Sequence, residues 1–284
     1  MPTKRETTSC IHSKRSLLLE KVTFELGSGS RATPCTCNRR SSTHSVRDIG
    51  CRRLREFVAF QQRVVDALIL LRAGSHVHDT DWQADYAGNE ADIRALISSA
   101  ESSFGGLDIL VNNAGPYFVG DRLQRWEDTL RANLLGAIYG TLHAIEPMKR
   151  RSGGAIIYYG STSAVGHGRK HSATPAYDVA KAALARLATT MNWLSEAYRI
   201  RVNCIVPDWV ATGEVQNYFD SLTPEQRRAG GVPETLTTLD EIAEAVLRLI
   251  TDEPLSGRVL VWWSGEPPRM IPQGDPGYAA LELF

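Results

Sequence analysis

The chain has 284 residues, and 43% of them are hydrophobic, so it is long enough to bury the core of one large domain or two small ones. Lys plus Arg and Asp plus Glu number 32 each, and this balance argues against a polyanionic partner such as nucleic acid. The sequence contains no apolar run of membrane-spanning length and opens with no secretion signal, which predicts a cytoplasmic protein with no membrane partner.

The first 55 residues differ from the rest of the chain in composition. Ser, Thr, Arg and Cys fill residues 27–53 without apolar periodicity, which predicts a poorly ordered segment preceded by a degenerate first strand near 20–26. The cysteines here fit no common zinc spacing, so no metal site is predicted. Two origins stay open for this segment: an out-of-frame reading of the gene, or an Arg- and Ser-rich presequence.

From about residue 56 the pattern alternates between helices and strands. Helical spacing predicts helices over 56–72, 89–105, 123–150, 177–197 and 239–251. Short apolar runs predict strands over 76–79, 107–115, 154–161, 199–207 and 257–263. This alternation predicts an α/β fold over residues 56–284: a single Rossmann-like domain with a doubly wound parallel sheet.

Tyr177 and Lys181 stand four residues apart near the start of one predicted helix. Residues at this spacing lie on the same helix face, so the hydroxyl and the ammonium can reach one pocket. An ammonium beside a phenol favours the phenolate and lowers the phenol pKa, which suits proton transfer near neutral pH. The pair alone is a short motif that chance also produces, and its meaning depends on the neighbouring segments.

Five segments together resemble the short-chain dehydrogenase/reductase family over about residues 74–264. They are "NNAG" (112–115), "RANLLGA" (131–137), "IIYYGSTSAVG" (156–166), "YDVAK" (177–181) and "RVNCIVPDWVAT" (201–212). The resemblance implies an oxidoreductase that transfers a hydride between NAD(P) and a carbonyl or secondary alcohol.

The resemblance implies four catalytic residues. Tyr177 is then the acid/base, and Lys181 assists it and holds the nicotinamide ribose. Ser161 orients the substrate oxygen, with Ser163 as the alternative because "GSTS" offers two hydroxyls. Asn133 holds a water that links Lys181 to solvent.

Further positions are implied for the cofactor and the substrate. Besides Tyr177 and Lys181, the expected cofactor contacts are Asp79, Asn112, Asn113, Ala114, Gly115, Pro207, Val210 and Thr212. Asp79 stands where an acidic residue binds the adenosine ribose and disfavours a 2′-phosphate, which favours NAD over NADP. The expected substrate contacts are Tyr117 and Trp209, with Phe118 and residues of 212–235 beside them. Asp208 stands where the family usually has glycine.

The N-terminal half of the cofactor site departs from the family pattern. Gly27 and Gly29 form a G-x-G, but no third glycine follows at usable spacing. The alternative function is therefore a non-catalytic Rossmann-like protein whose dinucleotide site is impaired. The resemblance also implies a homodimer or homotetramer that pairs through the helix after "NNAG" and the helix bearing Tyr177.

Overall fold

A computed structural model describes residues 68–71, 77–78, 88–113, 115, 125–165 and 174–274. Several sequence-based expectations lie outside these residues: the segment 1–55 with its strand at 20–26, Gly27, Gly29, Asp79, Ala114, Tyr117 and Phe118. They stay predictions.

The described strands form one seven-stranded sheet in the order β2-β1-β3-β4-β5-β6-β7. The strands are β1 (Leu68–Leu71), β2 (Val77–His78), β3 (Ile109–Asn112), β4 (Gly154–Tyr159), β5 (Ile200–Pro207), β6 (Val259–Trp262) and β7 (Arg269–Met270). The central strands β3 to β6 are parallel. The predicted α/β Rossmann-like class is thus confirmed.

Two features of the sheet correct the sequence-based picture. The edges of the sheet are antiparallel, because β1 runs against both β2 and β3, and β7 runs against β6. The helix predicted over 56–72 is wrong at its end, where Leu68–Leu71 form β1. A four-residue apolar run is too short for its periodicity to distinguish a strand from a buried helix. Here the run forms a strand because it pairs with β3.

The helices connect these strands and cover both faces of the sheet. They are α1 (Glu90–Phe104), α2 (Trp126–Leu130), α3 (Gly136–Arg150), α4 (Pro175–Thr190), α5 (Trp193–Tyr198), α6 (Gly213–Ser221), α7 (Pro224–Gly230) and α8 (Leu239–Thr251). A π-helical turn (Arg131–Leu135) joins α2 to α3, and a 3₁₀ turn (Thr162–Ala164) follows β4.

Local sequence signals explain where the best-defined helices begin and end. Asn89 caps α1 by accepting from two backbone N–H groups, and Gly105 closes it in the left-handed region at φ 72°. Thr238 and Glu241 form a reciprocal capping box at the start of α8. These caps fix the ends of two helices that lie against opposite faces of the sheet.

The core has two layers that share the parallel strands. Alternate residues of β4 and β5 point to opposite faces, so Ile156 and Val202 contact one layer while Ile157 and Ile205 contact the other. Helices α1, α3 and α4 cover the first layer, and α8 covers the second with Ile242, Val246, Leu249 and Ile250. Because both faces are covered, these strands are mostly apolar, with Asn203 of β5 as a buried polar exception, and their carboxyl ends meet at one edge.

Candidate active site

The predicted site residues follow the carboxyl ends of the parallel strands. Asn112 ends β3, Tyr159 ends β4 just before Ser161, and Pro207 ends β5. Since parallel strands end at the same edge, three segments far apart in sequence meet there.

Helix α4 presents Tyr177 and Lys181 to this edge. Pro175 stands in the first turn of α4, where its missing N–H costs nothing. The Lys181 Nζ atom lies 5.2 Å from the centroid of the Tyr177 ring, so the predicted one-turn pairing is present. The Lys181 side chain is 4% exposed, and Nζ donates a hydrogen bond of 3.1 Å to the carbonyl oxygen of Tyr159.

Burial changes the acid–base behaviour of Lys181. Desolvation lowers its pKa from 10.5 to about 8, and only the thiol of Cys204 opposes the shift. Within the described part of the chain, no carboxylate lies within salt-bridge distance of Lys181. A buried ammonium without a counter-ion is costly, and such groups mark functional sites.

Asn133 reaches the same place from a π-helical turn. Its side chain is 1% exposed, and Nδ2 donates to the carbonyl oxygen of Thr129 at 3.1 Å. A Cβ atom added at Gly115 would lie 2.2 Å from Asn133 Oδ1 and 3.1 Å from Lys181 Nζ. Gly115, Asn133 and Lys181 are therefore in close contact, and any larger residue at 115 would require the Asn133 side chain to move. π-Helical turns occur often at functional sites.

The serine turn brings together both candidate hydroxyls. Ser161 is the N-cap of the 3₁₀ turn, and its Oγ accepts from the backbone N–H of Ser163 at 3.3 Å. The two Oγ atoms are 2.9 Å apart and share a hydrogen bond. The choice between Ser161 and Ser163 stays open, since the two hydroxyls form one unit.

The segment after β5 carries the remaining predicted residues. Val210 pairs with Thr237 in an isolated bridge, and Thr212 is the N-cap of α6. The ring of Trp209 stacks on Tyr218 of α6, with centroids 6.1 Å apart and planes inclined by 17°. Tyr218 was not singled out from the sequence, because nothing in the pattern of 212–237 shows which side chain turns back onto Trp209.

Asp208 makes contacts that the sequence does not reveal. Its Oδ1 accepts from the hydroxyl of Thr162 at 2.7 Å, and its Oδ2 accepts from the backbone N–H of Ser264 at 3.3 Å. These partners are 46 and 56 residues away along the chain.

Two groups leave polar atoms available for a dinucleotide. The Lys181 ammonium has three hydrogens and makes one hydrogen bond to the described residues. The Asn112 amide is 5% exposed, and neither its nitrogen nor its oxygen has a hydrogen-bond partner in the described ranges. The remaining Lys181 hydrogens, beside the Tyr177 ring, suit sugar hydroxyls, so Lys181 fits the ribose of a nicotinamide nucleotide. Asn113 and Gly115 follow Asn112 into the same edge.

Other kinds of site find no support in the described residues. No group of three or more His, Cys, Asp and Glu side chains there could hold a metal ion. None of the helices that the structure describes is long and apolar enough to cross a membrane.

Comparison with known proteins gives consistent matches. A family model described as short chain dehydrogenase matches residues 61–222. An uncharacterized oxidoreductase of Thermotoga maritima is 32% identical over 130 residues, which cover 44% of this chain and 50% of that protein. D-beta-hydroxybutyrate dehydrogenase of Cupriavidus necator is 30% identical over 188 residues, covering 64% of this chain and 69% of that protein.

A solved structure agrees with these matches. A crystal structure from Burkholderia xenovorans, described as a short-chain dehydrogenase/reductase, superposes with a TM-score of 0.54 at 26% identity. The superposition covers 63% of this chain and 71% of that chain. The chain thus spans about half to 71% of the length of these proteins.

Proposed function

The chain belongs to the short-chain dehydrogenase family, and on that basis we propose that it transfers a hydride between NAD(P) and a carbonyl or secondary alcohol. The observation that carries the proposal is the buried Lys181 ammonium beside Tyr177, with no carboxylate partner among the described residues. A purely structural role for this pair gives no reason to bury a charge at the carboxyl edge of the sheet.

The nicotinamide ring, when bound, supplies or accepts the hydride at the substrate carbon. In the reducing direction, the Tyr177 hydroxyl donates its proton to the carbonyl oxygen and becomes a phenolate. The Lys181 ammonium stabilises that phenolate electrostatically. The reverse direction returns the proton to Tyr177 as the alcohol is oxidised.

The other two residues orient the reacting groups. The joined hydroxyls of Ser161 and Ser163 can donate to the substrate oxygen and hold it near Tyr177. Asn133 contacts the Gly115 backbone close to Lys181 and is placed to order a water that returns a proton from solvent. Lys181 hydrogens that Tyr159 does not occupy bind the ribose hydroxyls.

Cofactor preference and localisation are finer proposals. We propose NAD rather than NADP, on the acidic side chain of Asp79, and a cytoplasmic location. The substrate face is formed by the Trp209–Tyr218 pair, and Tyr117 adds to it. A small carbonyl or alcohol is expected, and D-beta-hydroxybutyrate is the first compound to test because a relative carries its name.

The rival function is a Rossmann-like protein that keeps the catalytic half but does not hold a dinucleotide. It is favoured by the G-x-G of Gly27 and Gly29, which lacks a third glycine. Titration of the full chain with NADH and with NADPH, followed by cofactor fluorescence, separates the two functions. The proposal expects saturable binding of at least one, tighter for NADH, and turnover with a secondary alcohol. Binding of neither cofactor would favour the rival.

A further inference from the structure

Asp208 joins the ends of three neighbouring parallel strands. It directly follows β5, and its carboxylate accepts from Thr162, three residues after β4, and from Ser264, two residues after β6. The Ser264 hydroxyl bonds in turn to the backbone of Trp209, accepting from N–H at 3.1 Å and donating to the carbonyl at 3.2 Å. One carboxylate thus fixes the loops that carry the serines and Trp209.

The bond to Thr162 acts directly on the serine turn. Thr162 is the first residue of that turn and is 3% exposed, while Ser161 and Ser163 flank it. The turn contains only three residues, so holding the side chain of its first residue, Thr162, restrains the adjacent Ser161 and Ser163. The 2.7 Å distance and the carboxylate acceptor are typical of the stronger kind of hydrogen bond.

We propose that Asp208 is a positioning residue that holds the serine turn against the ends of β5 and β6. Asp208 makes no hydrogen bond to the hydroxyl of Ser161 or of Ser163, and it acts on both through Thr162. The inference rests on the proposed function for its effect on rate, since a misplaced serine hydroxyl lowers the rate of the chemical step.

Both oxygens of Asp208 accept, one from a hydroxyl and one from a backbone N–H. An amide could keep both contacts only in the orientation that puts its oxygen on the Ser264 N–H and its NH₂ group on the Thr162 hydroxyl, and the contact to Thr162 would then lose the charge of the carboxylate. Glycine or alanine would remove both bonds.

The first test is a set of variants measured in steady-state turnover. Asp208→Ala and Thr162→Val should each lower kcat about tenfold and leave the KM for the cofactor within about twofold. The double variant should lose no more than Asp208→Ala alone, because both substitutions remove the Asp208–Thr162 bond. Thr162→Ser keeps the hydroxyl and should restore kcat. The matched control is Asp240→Ala, at an exposed carboxylate in the first turn of α8, which should leave kcat unchanged.

The result that overturns the proposal is unchanged kcat in Asp208→Ala or Thr162→Val, additive losses in the double variant, or no rescue by Thr162→Ser. A uniform loss of cofactor affinity in Asp208→Ala would also contradict it, since that indicates general damage to the site.

A second measurement tests the Asp208–Thr162 hydrogen bond without measuring turnover. The backbone N–H groups of Ser163, Ala164 and Val165 are bonded within the serine turn. Their hydrogen exchange should become about tenfold faster in Asp208→Ala and in Thr162→Val, and stay unchanged in Asp240→Ala. Unchanged exchange in Asp208→Ala and Thr162→Val would refute the proposal that Asp208 holds the serine turn. If the variants show this exchange pattern but the wild type binds no dinucleotide, the positioning role of Asp208 stands and only the proposed function is refuted.

Discussion

The ammonium of Lys181 donates to the carbonyl oxygen of Tyr159, the last residue of β4, at 3.1 Å. This bond anchors a charged side chain from α4 to the carboxyl end of a central strand. It compensates for only part of the lost hydration, and burial therefore lowers the pKa of Lys181 to about 8.

The lowered pKa of Lys181 predicts a specific pH dependence of stability. Below pH 8 the folded and unfolded chains both hold the proton, so the buried charge destabilises the fold in full. Between about pH 8 and 10.5 only the unfolded chain holds it, so this group makes the free energy of unfolding rise with pH. The full rise is about 3 kcal/mol at most.

Lys181→Met isolates this effect. Urea unfolding of both proteins at pH 7 and pH 10 should show Lys181→Met gaining stability relative to the wild type at pH 7, with the gain shrinking at pH 10. Tyr158 and Tyr159 are buried acids that titrate in both proteins, so their contributions cancel in the difference, whereas the Cys204 contribution does not, because Lys181 lowers the pKa of that thiol. A difference that does not change with pH would show that Lys181 is not desolvated.

Tyr177→Phe should abolish turnover and leave cofactor affinity within about twofold. The substitution removes the proton donor and keeps the ring that lies beside Lys181. General acid–base catalysis contributes about 10²- to 10⁴-fold, so kcat should fall by at least a hundredfold. The measurements are steady-state turnover and an NADH titration. Retained turnover on a substrate that the wild type accepts would remove Tyr177 from the mechanism.

Gly115→Ala should damage the site at Asn133. The new Cβ would lie 2.2 Å from Asn133 Oδ1, so the buried Asn133 side chain or the backbone that carries it must move. Overpacking of this kind costs about 1 to 3 kcal/mol of stability and should also reduce kcat. The control is Gly230→Ala, where the nearest atom to an added Cβ is 3.7 Å away and the helical conformation tolerates alanine. Thermal unfolding and turnover of the two variants measure the difference, and equal behaviour would contradict the predicted contact.

The sequence located the central strands better than it located the edges of the sheet. The i, i+4 spacing alone places Tyr177 and Lys181 on one face, and apolar runs located β3 to β6 within a few residues. The long helix expected over 123–150 is instead α2, a π-helical turn and α3. No residue in "RANLL" breaks a helix, so local preferences cannot show the shift in hydrogen bonding at Asn133.

Long-range pairing explains the other differences. The antiparallel direction of β1 depends on hydrogen bonds to β3, about forty residues away along the chain. The Asp208 contacts with Thr162 and Ser264 arise only when three strand ends meet. Of this network, the sequence shows only that Asp208 stands where the family usually has glycine.

Asn203→Ala should destabilise the fold without changing the chemistry of the site. The Asn203 side chain in β5 is fully buried and donates to the carbonyl oxygens of Leu249 and Leu255, and its Oδ1 accepts from the N–H of Arg258. Alanine would remove this partner from three backbone groups, one buried and two partly buried, at a cost of about 3 kcal/mol. Chemical denaturation should show the loss, and kcat measured well below the unfolding midpoint should stay the same. A stability change below about 1 kcal/mol would contradict this role.

The last prediction concerns self-association through α3 and α4. Each helix carries a half-exposed apolar side chain, Leu142 at 55% and Val179 at 49%. Small residues on α4 would let a partner helix approach closely; of these, Ala182 is exposed, whereas Ala188 is fully buried in the core. A two-fold contact would cover the exposed apolar positions on both copies at once.

We therefore expect at least a homodimer, and light scattering at micromolar concentration should give at least twice 31.3 kDa. Leu142→Arg should shift the protein toward monomer, because two-fold symmetry places the new charge twice in the interface. Leu142→Met keeps an apolar side chain and should preserve the dimer. A wild-type mass of 31.3 kDa, or equal masses for the two variants, would contradict pairing through these helices.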